Sequence, residues 1–122
     1  MVQGLGTAIY HVTDLDRAKA WYTQAFGIAP YFDQPFYVGF EIGGYELGLH
    51  PGQSVAQAGP GGTVAYWRVP EITAAVAHFV GVGATVAEPA TEVGEGIKVA
   101  TVTDPFGNLI GLIENPHFTA RG

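Results

Sequence analysis

The chain has 122 residues, 48% of them hydrophobic and 12% aromatic, which is enough to bury the core of one compact body. Eleven acids against five bases give a net charge of −6, leaving no basic stripe to neutralise a nucleic-acid backbone or an anionic membrane surface, so neither is expected as a partner. Cysteine is absent, which excludes disulfide frameworks, a thiolate nucleophile and cysteine-ligated metal centres; with no cationic start or apolar run at the N-terminus, a cytoplasmic location is expected.

Leu5 to Val12 is rich in β-forming residues and reads as a first strand. Thr13-Asp14-Leu15-Asp16 follows, a hydroxyl residue with an acid three positions later, which predicts a helix start. Leu15, Ala18, Tyr22, Ala25 and Phe26 have helical spacing, and Gly27 supplies the stop. Three β-leaning segments come next, at Ile28 to Asp33, Phe36 to Ile42 and Tyr45 to His50. Residues 51–62, with four glycines and two prolines, have linker composition. A second strand-helix set then begins, with Thr63 to Val69 as strand, Pro70 in the first helical turn, and Ile72, Ala75, Phe79 and Val82 as the apolar stripe before Gly83. Ala84 to Glu88, Ile97 to Thr103 and Leu109 to Glu114 complete it.

The two sets are copies. Val12, Asp14, Leu15, Ala18, Ala20 and Tyr22 map onto Val69, Glu71, Ile72, Ala75, Ala77 and Phe79 at an offset of 57. Gly44, Leu47, Gly48 and Leu49 map onto Gly107, Ile110, Gly111 and Leu112 at an offset of 63, so the second copy carries a longer middle section. The expected fold class is α+β, with tandem βαβββ modules over about 5–50 and 63–114, a tail at 115–122, and a single domain over 1–122.

This doubled unit, the Asp-Leu-Asp-Arg-Ala-Lys-Ala-Trp-Tyr run at 14–22 and the Asp-Pro-Phe-Gly-Asn-Leu-Ile turn at 104–110 resemble the vicinal oxygen chelate superfamily. That superfamily includes glyoxalase I, extradiol dioxygenases, fosfomycin-modifying enzymes and bleomycin-binding resistance proteins. The resemblance implies a curved eight-stranded sheet around a cleft, helices on the outer face, and pairing into a homodimer. It also implies that a divalent metal would be held from the first and fourth strand of each module, at positions that here carry Thr7, Gly48, Val64 and Gly111. None offers an imidazole or a carboxylate, so no metal and no other cofactor is expected.

Because side chains alternate along a strand, the face carrying those four residues also carries Ile9, His11, Glu46, His50, Tyr66, Arg68 and Ile113. The opposite parity, Tyr10, Val12, Leu47, Leu49, Ile110 and Leu112 among others, is apolar and suits packing against the helices. These eleven residues are the expected ligand-binding set, with no catalytic role assigned. His11, Glu46 and His50 are compatible with a relocated two-His, one-carboxylate metal site, with strand-end histidines beside a solvated Glu46, or with direct ligand contact and acid-base work. Arg68 suits a carboxylate or phosphate, or pairing with Glu46. Tyr31, Phe32, Phe36, Tyr37 and Phe40 suit either a wall for an apolar or flat aromatic ligand or the core. Trp21 and Trp67 read as packing residues. The run Gly59-Pro60-Gly61-Gly62 lacks the lysine of a phosphate loop, and the one serine, Ser54, falls in the linker. The functional expectation is a metal-independent protein binding a small organic molecule. The alternatives are a lyase, isomerase or dioxygenase with a displaced metal or cofactor-free chemistry, and an interaction module without a ligand.

Overall fold

A computed structural model describes residues 1, 3, 5–52 and 64–117. Most of the expected linker, with Ser54 and the glycine run at 59–62, lies outside the described residues, as do Thr63 and the tail beyond residue 117. The chain divides into two compact units, one built on each module.

Module one consists of β1 (Thr7–Val12), α1 (Leu15–Phe26), β2 (Phe32–Gln34), β3 (Tyr37–Ile42) and β4 (Tyr45–Pro51). Module two repeats the order with β5 (Tyr66–Arg68), α2 (Ile72–Gly81), β6 (Thr85–Gly94), β7 (Ile97–Thr103) and β8 (Leu109–Glu114). The eight strands form two mixed four-stranded sheets, ordered β1-β4-β3-β2 and β5-β8-β7-β6. In each sheet the strand before the helix runs parallel to the last strand of its module, and the other pairs are antiparallel. The architecture is α+β with two βαβββ modules.

One face of each sheet carries the core. In module one Tyr10, Val12, Leu47 and Leu49 are buried beside Ala18, Trp21, Tyr22 and Ala25 of α1, and Tyr10 stacks on Tyr22 with ring centroids 5.7 Å apart. In module two Ile110, Leu112, Ala100 and Val102 are buried with Ile72 and Phe79 of α2. The apolar parity therefore faces the helices, and the other parity, beginning with Thr7, Ile9 and His11, faces away.

Local chemistry moves several boundaries. The N-cap of α1 is Asp14 rather than Thr13: its carboxylate accepts from the Arg17 N–H at 3.1 Å. Its counterpart Glu71 caps α2 by accepting from Thr73 and Ala74, and Glu114 of β8 accepts from the Ile72 N–H at 2.8 Å, so Pro70 precedes the cap instead of entering the first turn. Gly27 ends α1 in the left-handed conformation at φ 70°. The second strand starts late, at Phe32 rather than Ile28, because Pro30 has no N–H to donate and pairing begins with the Tyr31 N–H on the Gly39 carbonyl at 2.9 Å. Its counterpart β6 runs to Gly94 instead of stopping at Glu88. It is an edge strand with register shifts between Val86 and Glu88 and between Glu88 and Thr91, so Pro89 falls where the ladder is already interrupted. This long strand holds the extra residues of the second copy.

Candidate functional site

On the face of the module-one sheet away from α1, the parallel register sets Thr7 beside Glu46, Ile9 beside Gly48 and His11 beside His50. The antiparallel β3 adds Gly39 opposite Gly48 and Glu41 opposite Glu46. All six residues expected on this face from module one are therefore neighbours on two adjacent strands. The His11 and His50 rings are tilted at 60° with centroids 5.3 Å apart.

Glu46 is the hub. Its Oε2 accepts from the Tyr31 hydroxyl at 2.5 Å and its Oε1 from the Tyr37 hydroxyl at 2.9 Å. The Tyr31 bond, with help from the Thr7 and Tyr37 hydroxyls, holds the Glu46 carboxyl below its ordinary range against the opposing effect of burial. The phenols respond in the other direction: the bond to Glu46 raises Tyr31, and burial, reinforced by Glu46, raises Tyr37. At neutral pH the cluster is one carboxylate clasped by two protonated phenols. Glu46 is thus bonded as well as partly exposed beside the two histidines. Nor does it join His11 and His50 as a metal site, since among the described residues no three His, Asp or Glu side chains come together to hold an ion.

Above this hub lies a cavity of about 490 Å³ lined by Tyr31, Phe32, Phe36, Tyr37, Glu46 and His50. Four of the five aromatic residues between 31 and 40 line this cavity, while Phe40 is fully buried in the core. Phe36 and Tyr31 remain 63% exposed, ring surface that the core does not claim. The visible signal for them was the aromatic density itself; their convergence on Glu46 depends on the β3–β4 register. A second cavity, of about 510 Å³, lies at the start of α1 between Asp14, Asp16 and Asp33. The Asp14 carboxylate there is engaged in capping and Asp33 in an ion pair with Lys19 at 3.0 Å.

The positions implied for metal ligands do not fit a metal. A Cβ built on Gly48 would sit 1.9 Å from the Tyr37 hydroxyl oxygen, and one on Gly111 would sit 2.6 Å from the Tyr66 ring and 2.7 Å from the Ala65 carbonyl oxygen. Each glycine lies under a tyrosine, so the space into which a ligating side chain would project is filled. Thr7 is exposed and tied into the Glu46 cluster, and Val64, half-buried, precedes β5. In module two, Tyr66 pairs with Gly111 and Arg68 with Ile113; Tyr66 is 45% exposed, and Arg68 is exposed as well. Thr101, next to Gly111 on β7, is buried and donates to Glu88 at 3.1 Å. The turn leading into β8 is built on Asp104, 5% exposed, which accepts from the Phe106 and Asn108 N–H groups and from the Asn108 amide at 2.7–2.9 Å.

A family model described as the Glyoxalase/Bleomycin resistance protein/Dioxygenase superfamily matches residues 4–112. Among solved structures, a glyoxalase-related enzyme from Fulvimarina pelagi is 23% identical with a TM-score of 0.75, over 94% of this chain and 90% of that one. Lactoylglutathione lyase from Agrobacterium tumefaciens is 20% identical with a TM-score of 0.74, over 96% and 98% of the two chains. TioX from Micromonospora sp. ML1 is 20% identical with a TM-score of 0.72, over 92% and 98%. These likenesses are of fold. No curated protein matches.

Proposed function

The chain belongs to the glyoxalase/bleomycin resistance protein/dioxygenase superfamily, and from that premise we propose that it binds a small organic molecule without a metal, on the module-one face around Glu46. The observation that carries this reading is the Tyr37 ring lying over Gly48. A phenol occupies the volume a metal ligand would need, and the same phenol helps to build an aromatic cavity. Ile9, His11, Gly48 and His50 are proposed contacts beside Thr7 and Glu46, with Val64, Tyr66, Arg68, Gly111 and Ile113 forming the corresponding face of module two. We further propose a single-domain, cytoplasmic homodimer; among the described residues no helix is long and apolar enough to cross a membrane.

Elemental analysis of purified protein, combined with a thermal-shift screen of small organic compounds with and without chelator, tests the reading. Substoichiometric divalent metal and chelator-insensitive ligand shifts are expected. A stoichiometric ion that is lost on His50→Ala or Glu46→Ala would overturn it.

The closeness of the His11 and His50 rings favours a second reading, cofactor-free acid-base catalysis on the same face. Turnover of a bound compound that disappears in His50→Ala while binding persists would establish it.

A further inference from the structure

We propose that the ligand of the module-one cavity is an organic cation of the quaternary or fully alkylated ammonium type, held against the faces of Tyr31, Phe32, Phe36 and Tyr37 in front of the Glu46 carboxylate. This inference rests on the reading of that face as a binding site.

Ring orientation separates a globular cation from a flat ligand. Phe32 lies at 67° to Phe36, 58° to Tyr37 and 53° to Tyr31, with centroids 6.0, 6.2 and 6.5 Å apart. A planar aromatic ligand is sandwiched best by parallel plates, and none of these three pairs is parallel. Faces set at steep angles suit a rounded group that meets several of them at once, which is how aromatic cages take alkylated ammonium ions.

Charge points the same way. Glu46 is the lining residue held ionised, and neither lysine nor arginine lines the cavity. Residues 5–52 carry five acids against two bases, Arg17 and Lys19, both on α1 across the sheet, and Lys19 pairs with Asp33. Each phenol that donates a hydrogen bond to Glu46 also gains electron density, which strengthens the negative potential of its ring face.

Hydrogen bonding selects the kind of cation. The Glu46 oxygens already accept from Tyr31 and Tyr37 and are reached by Thr7, so few lone pairs remain for an ammonium N–H. A cation without N–H groups loses nothing there and is weakly hydrated to begin with.

The test is titration of the full chain with choline and with its neutral carbon isostere 3,3-dimethylbutan-1-ol, followed by NMR shifts of the tyrosine and phenylalanine ring signals. Choline is expected to bind about ten-fold more tightly than the alcohol, with Tyr31 and Tyr37 signals moving. Both Glu46→Gln and Phe36→Leu should weaken choline several-fold; Phe36 is exposed enough that its replacement leaves the fold intact, which circular dichroism checks. Equal binding of the two probes, or choline binding indifferent to both substitutions, overturns the cation assignment. So does failure of choline where other organic compounds bind at these rings, an outcome that leaves the binding-site reading standing. Failure of every compound at this face overturns both.

Discussion

A carboxylate clasped by two phenols ties protonation to folding. Because Glu46 titrates below its usual value of 4.5 in the folded chain, the unfolded chain binds more protons in acid, and the Glu46 contribution to stability is complete above that value. It is lost as pH falls through the folded value. The raised phenols act in the opposite sense, contributing below 10.0 and losing the contribution as pH climbs through their folded values. Denaturant unfolding of wild type and Glu46→Gln should therefore differ at neutral pH and converge as pH drops below the ordinary glutamate range. Gly48→Ala tests the same cluster sterically. Its methyl group meets the Tyr37 hydroxyl, so a loss of about 1–3 kcal/mol is expected from overpacking, and Tyr37→Ala in the same chain should recover part of it in a double-mutant cycle. Strand parity put Thr7, Glu46 and Gly48 on one face and left Tyr31 and Tyr37 undecided between that face and the core. Their bonds were not legible, because Tyr31 and Glu46 are fifteen residues apart and meet only when Tyr31 is tied to Gly39 of β3 and β3 pairs with β4.

At the scale of elements, helices and turns were more legible than the second strand of each module. Both helices start where the 57-residue offset puts them, since an apolar stripe is a local property. The β2 and β6 boundaries depend on where prolines meet the ladder, and that is a property of the neighbouring strand. The Asp104 turn shows how one local residue sets a longer element: three hydrogen bonds to a buried carboxylate fix the start of β8. Asp104→Ala should cost about 1–3 kcal/mol in equilibrium unfolding, because buried donors lose their partner. Asp14→Ala, which removes the α1 cap, should cost about 1 kcal/mol by the same measurement. An Asp104 loss smaller than the Asp14 loss would mean that the turn is held by the strands around it.

For the whole molecule, duplication explains why the fold was readable from one sequence: each module supplies an independent reading of the other. The proposed homodimer predicts a light-scattering mass of twice the 12.8 kDa chain, unchanged by chelator. The equivalent glycines Gly48 and Gly111 each lie under a tyrosine. The tyrosines come from different strands, Tyr37 from β3 and Tyr66 from β5, so the same repeat position is covered from a different strand in each module. A histidine or glutamate introduced at either glycine would arrive in occupied volume; removing Tyr37 would clear the space over Gly48, whereas at Gly111 the Ala65 carbonyl oxygen would still stand 2.7 Å from a Cβ. A side chain larger than glycine at either position thus calls for a paired change in its own module, a coupling that no single substitution resolves.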